Sequence, residues 1–94
     1  MMITVHVRAF ARFREMFGDH FEVQVRAPAT IHMVVEAVAG RNEHGIAELL
    51  DDGGTIKRSV IVLVNRERIS GDGREQRAVE AGDEVALYPP VAGG

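Results

Sequence analysis

From Ile3 to Arg8 apolar and polar residues alternate strictly, with Ile3, Val5 and Val7 on one side and Thr4, His6 and Arg8 on the other. A period of two marks a strand with one buried face, so His6 is expected to point outward. The period changes at Phe10. Phe10, Phe13 and Phe17 recur at helical spacing and Gly18 follows, which predicts a short helix closed by glycine. Alternation returns from Phe21 to Arg26, and Pro28 ends it. Thr30 is a good N-cap. After it, Ile31, Val34, Val35 and Val38 share a helical face up to Gly40, and Ile46, Leu49 and Leu50 suggest another helical turn or two. Asp51-Asp52-Gly53-Gly54 reads as a loop, mobile by its glycine content.

Val60 to Val64 is an unbroken apolar run and the strongest strand in the chain. Such a run is explained if one face meets the core and the other a partner. Asn65-Arg66 is a turn into a short returning strand, Glu67 to Ile69. A polar loop opens at Gly71-Asp72-Gly73, and Ala81-Gly82-Asp83 leads into the last strand, Glu84 to Tyr88. Within it, Ala86 and Tyr88 share the face opposite Val85 and Leu87.

Strand, short helix, strand, main helix, short helix, strand, short strand, strand is an α+β order. A helical crossover favours the last strand running beside the first, in parallel. The expected fold is therefore a β-grasp, or ubiquitin-like, mixed sheet packed on one main helix. Residues 1–88 form the domain, the exit strand is central, and residues 89–94 form a flexible C-terminal tail.

The tail is the distinctive stretch. In Pro89-Pro90-Val91-Ala92-Gly93-Gly94 the prolines stop the strand and favour a stiff, extended exit. Six extended residues reach roughly 20 Å, enough to thread a terminal carboxylate into another protein's active site. Gly93 and Gly94 carry no side chains, so they fit a narrow tunnel and leave the carboxylate open to attack. Tyr88 and Ala86, at the tail's root, are the candidate partner-binding face; a large aromatic there suits an interface.

Composition narrows the chemistry. The 94 residues make one domain with a net charge of −3, which gives no polybasic case for nucleic acid or membrane. No apolar stretch is long enough to span a bilayer, and a cytoplasmic protein is the default expectation. Cysteine is absent, so thiolate catalysis and cysteine-ligated metals are excluded, and any sulfur carried would sit on the terminal carboxylate. His6, His20, His32 and His44 lie in different elements without metal-like spacing, so no metal site is expected. Asp51-Asp52 reads as a solvated loop rather than an acid–base pair. The 10 arginines, against the single Lys57, read as a solvated surface, some of them available to an acidic partner.

Asp83 to Gly94 resembles the C-terminus of the small subunit of molybdopterin synthase, the MoaD-like sulfur carriers. Arg8-Ala9-Phe10-Ala11-Arg12-Phe13-Arg14-Glu15 resembles that family's first strand and helix, and Val64-Asn65-Arg66-Glu67 sits where its hairpin turn is expected. The resemblance implies that an ATP-consuming activating enzyme of the ubiquitin-activating type adenylates the Gly94 carboxylate. A sulfur donor then converts it to a thiocarboxylate. A large synthase subunit takes the tail (Pro89, Pro90, Val91, Ala92, Gly93, Gly94) and passes its sulfur to cyclic pyranopterin monophosphate, towards the molybdenum or tungsten cofactor. The chain would be a co-substrate with no bound cofactor and no active site of its own. Competing expectations are a ubiquitin-like modifier joined through Gly94 to lysines, and a sulfur carrier for transfer-RNA thiolation or thiamine synthesis.

Overall fold

In the computed structural model, which describes residues 1–90, strand β1 (Met2–Ala9) pairs antiparallel with β2 (His20–Arg26). The short helix α1 (Arg12–Phe17) joins them. A two-residue strand, β3 (Ala29–Thr30), leads into the main helix α2 (Ile31–Ala39), and α3 (Gly45–Leu49) follows. The hairpin β4 (Ile61–Val64) and β5 (Glu67–Ile69), a 3₁₀ helix (Asp72–Gln76), β6 (Ala78–Val79) and β7 (Glu84–Tyr88) complete the described chain. The large sheet runs in the order β2-β1-β7-β4-β5, with β7 parallel to β1 and antiparallel to β4. This is the β-grasp arrangement, and the exit strand is its central member. Val91, Ala92, Gly93 and Gly94 lie outside the described residues.

The core forms where the alternating patterns converge. Val5, Val7, Val62, Val64, Val85 and Leu87 line the inner face of the sheet, and α2 packs Ile31, Val34, Val35 and Val38 against that layer. Phe13 closes one end, fully buried. Burying each such side chain contributes about 1.5–3 kcal/mol, which outweighs the weak helix propensity of the valines in α2. Thr30 caps α2 as expected, its hydroxyl accepting from the Met33 N–H at 3.4 Å. Gly45 marks a close approach between helices: a β-carbon there would overlap the Ala39 carbonyl oxygen.

Several expectations need correction. Phe10 is not part of the α1 core face. The period of two runs one residue beyond β1, as the Phe10 N–H donates to the Leu87 carbonyl at 3.2 Å, and the ring is carried to the outer side of the sheet. The helical turn suggested by Ile46, Leu49 and Leu50 is α3, although Ile46 within it is exposed while Leu49 is buried. Asp51-Asp52-Gly53-Gly54 is a loop as expected, with Asp51 Oδ1 accepting from the Gly53 and Thr55 N–H groups, both at 3.0 Å. The region after Gly71 contains the 3₁₀ helix and then β6, which pairs with β3 in a small second sheet. The Asn65-Arg66 turn is as expected, with φ of 50° and 72° at its two residues, and Asn65 also ties the hairpin to β7 by accepting from the Glu84 N–H at 2.9 Å.

Candidate functional site

Strand register decides what surrounds the tail's root. Ala86 lies beside Arg8 on one side and Leu63 on the other, and Leu63 lies beside Arg68. The sheet therefore presents a cross-strand row Arg8–Ala86–Leu63–Arg68 on its outer face, apolar in the middle and cationic at both ends. One pleat nearer the tail, Tyr88 pairs with Ile61. Phe10 stacks on the Tyr88 ring with centroids 4.1 Å apart and planes tilted by 2°, and the Arg8 guanidinium lies 5.1 Å from the Phe10 centroid. Such stacking contributes about 0.5–1.5 kcal/mol beyond burial, so the root of the tail is held as well as displayed.

Of the candidate face residues, Tyr88 is half-buried on its own domain by Phe10, yet stays part of the outer surface. Ala86 is on the same face but retains only 7% exposure between its larger neighbours. The apolar surface there is supplied mainly by Phe10, Ile61, Leu63 and Tyr88, all half-buried. Ile61 and Leu63 belong to the unbroken run whose second face called for a partner. Phe10 was missed because its spacing to Phe13 mimics a helix. Pro89 and Pro90 continue from β7 without regular structure, while the candidate residues Val91, Ala92, Gly93 and Gly94 fall outside the described residues.

Charged groups occur further from the tail as well. Glu84, Glu22 and His6 lie at the end remote from the tail, with His6 Nδ1 3.5 Å from Glu22 Oε2. His6 does point outward. His32 is not a plain surface group: Nδ1 is 2.5 Å from Glu75 Oε1, and Nε2 is 3.2 Å from Glu36 Oε2. The hydrogen bond to Glu75 raises its pKa above 6.5; burial opposes this, and the Glu36 charge adds to it. Two arginines also depart from the solvated reading. Arg74 donates to the carbonyls of Val60 and Lys57 at 2.7 and 2.8 Å, while Arg41 lies 3.9 Å over the Phe21 ring and donates to the Phe17 carbonyl. Burial, followed by the nearby Arg68 charge, lowers the Arg74 pKa, with Glu75 opposing. No group of three or more metal-binding side chains occurs among the described residues, and none of their helices is long and apolar enough to cross a membrane.

A β-grasp body thus carries an apolar outer face at the root of a glycine-ended tail. The ThiS family model matches residues 7–94, tail included. This chain belongs to the ThiS family. Small archaeal modifier protein 3 of Haloferax volcanii is 37% identical over 94 residues, which span 98% of this chain and 100% of that protein. The molybdopterin synthase sulfur carrier subunit of Aedes aegypti is 33% identical over 97 residues, with coverage of 99% and 91%. The crystal structure of small archaeal modifier protein 1 from Haloferax volcanii superposes with a TM-score of 0.83 at 30% identity, covering 97% of this chain and 99% of that one. This ThiS-family chain is thus one of the ubiquitin-like sulfur carriers and modifiers.

Proposed function

We propose that this ThiS-family chain is a sulfur carrier for molybdopterin synthesis, acting as the small subunit of the synthase. Its Gly94 carboxylate attacks the α-phosphorus of ATP on an activating enzyme, giving an acyl adenylate and releasing pyrophosphate. A sulfur donor delivering sulfur at the sulfide level displaces AMP and leaves a thiocarboxylate. A large synthase subunit admits the residues from Pro89 to Gly94, and the thiocarboxylate sulfur attacks cyclic pyranopterin monophosphate. Hydrolysis of the resulting acyl link returns the Gly94 carboxylate. The chain's own part is to bind, orient and present; the partners supply ATP, sulfur and active site.

The observation that supports this reading is the placement of the tail's root. A central strand, hydrogen-bonded on both sides, ends at Tyr88 beside an apolar face flanked by Arg8 and Arg68. That fixes the origin of the tail relative to a surface a partner can grip. A second reading is favoured by the similarity to small archaeal modifier protein 3: the same adenylate is passed to a lysine amine of a target protein, forming an isopeptide bond.

Incubation with a ubiquitin-type activating enzyme, ATP and a sulfur donor, followed by intact-mass measurement, tests both. Exchange of one oxygen for sulfur at the C-terminus, followed by sulfur loss on adding a large synthase subunit and the pterin, is the expected result. Adducts on lysines without thiocarboxylate would move the assignment to the modifier. Deleting Gly94 is expected to abolish either product, and unchanged activity after that deletion would remove both.

A further inference from the structure

The hairpin of β4 and β5 opens at the same end of the sheet from which the tail departs, since Ile61, the first residue of β4, pairs with Tyr88. There the chain entering β4 and the chain leaving β5 diverge around a cleft of about 640 Å³. Arg58 contributes from the entering arm, Arg68 from β5 and Arg74 from the 3₁₀ helix, and Ile56 and Ile69 also border the cleft, Ile56 from within the core. Arg74 is held in place by its two bonds to the Val60 and Lys57 carbonyls. None of these three arginines forms an ion pair with a carboxylate among the described residues. Glu75 also lines the cleft, but its carboxylate is engaged by His32, which leaves Asp72 as the other acidic group in the lining. A chain of net charge −3 thus gathers three arginines around one cleft at the end of the sheet where β7 finishes.

We propose that this cleft is a docking site for an acidic segment of the partner protein that receives the tail. Guanidiniums match carboxylates in charge and in paired hydrogen-bond geometry. The partly buried Ile69 beside them suits the methylenes of aspartate and glutamate, which a bare phosphate would leave uncovered. Two arms of the chain frame the opening, so an extended segment can lie between them with carboxylates reaching Arg58 and Arg68. The proposed function gives the site its use, because a partner gripping the outer face and the tail also passes this end of the sheet. Carboxylate binding itself does not depend on activation of Gly94.

The test uses the full-length, isotope-labelled chain titrated with a hexaglutamate peptide, and separately with inorganic phosphate, at low and moderate salt. Saturable amide shifts confined to residues 55–58 and 68–75 are expected with the peptide, weakening on added salt. Both Arg58→Gln/Arg68→Gln and Arg58→Glu/Arg68→Glu double variants should lower peptide affinity at least tenfold while keeping the wild-type melting temperature. A chain truncated after Pro90 should bind the peptide as well as the intact chain does, which separates this site from the tail chemistry. With the large synthase subunit, the double variants should raise Kd at least tenfold. Shifts scattered over the surface, phosphate binding as tightly as the peptide, or unaltered affinity in both double variants would overturn the proposal.

Discussion

The two faces of the central sheet are built from the same strands and from similar residues, yet they are covered to different extents. The inner face is valine and leucine closed against α2, and Val5, Val7, Val62, Val85 and Leu87 retain no exposure. The outer face is apolar only in the middle. Phe10, Ile61, Leu63 and Tyr88 stay half-buried, with arginines at both ends of the adjoining row. An inner residue is surrounded by the chain itself, so its loss leaves a cavity. An outer residue has one side still open to solvent, so on the proposed function its loss should be registered mainly in partner binding. Apolar character alone does not separate the two roles; the number of sides already occupied does.

Substitutions on the two faces can break that comparison. Phe13→Ala empties a fully buried site and should cost about 3–5 kcal/mol in denaturant unfolding, more than any other single change proposed for this chain. Gly45→Ala forces a β-carbon against the Ala39 carbonyl and should cost about 1–3 kcal/mol by the same measurement. On the outer face, Leu63→Ala should cost less than about 1.5 kcal/mol in folding. It should nevertheless weaken binding to the activating enzyme or the large subunit by about tenfold or more, read by calorimetry. If Leu63→Ala destabilised the fold as much as Phe13→Ala and spared binding, the division between the faces would fail.

The smallest effect concerns His32. Its pKa is raised in the folded chain by Glu75 and Glu36. The resulting stability is fully present below the unfolded value near 6.5 and is lost as pH rises through the folded value. His32→Gln should remove that slope, changing stability by under about 1 kcal/mol below pH 6.5 and by less above it, measured by urea denaturation across pH. A slope surviving in the variant would assign it to another group.

Much of this architecture was legible because the relevant signals are local. The alternation from Ile3 to Val7, the Thr30 cap and the Asn65-Arg66 turn each act within a few residues, and each formed as expected. The central position of β7 followed from chain order and the crossover rule. What escaped depends on contacts between distant residues. β3 and β6 are two residues each, too short to show a period, and only their mutual pairing defines them. His32 meets Glu75 across 43 positions, and Arg74 finds the Val60 carbonyl across 14. The apolar outer face was partly readable in the run from Val60 to Val64, whereas the contribution of Phe10 was hidden by a spacing that fits both periods. The candidate end of the site, Gly93 and Gly94, was proposed from the tail motif and its resemblance to a family, and lies outside the described residues.

The parallel pairing of β7 with β1 has a mechanical consequence. A force drawing the chain outward beyond Tyr88 is carried along β7 and meets the ladders to β1 and β4 together. Those ladders must slide as a whole under such a load, because no single bond can open first like a zipper. The body therefore resists a pull on the chain beyond Tyr88 as a unit rather than peeling away bond by bond.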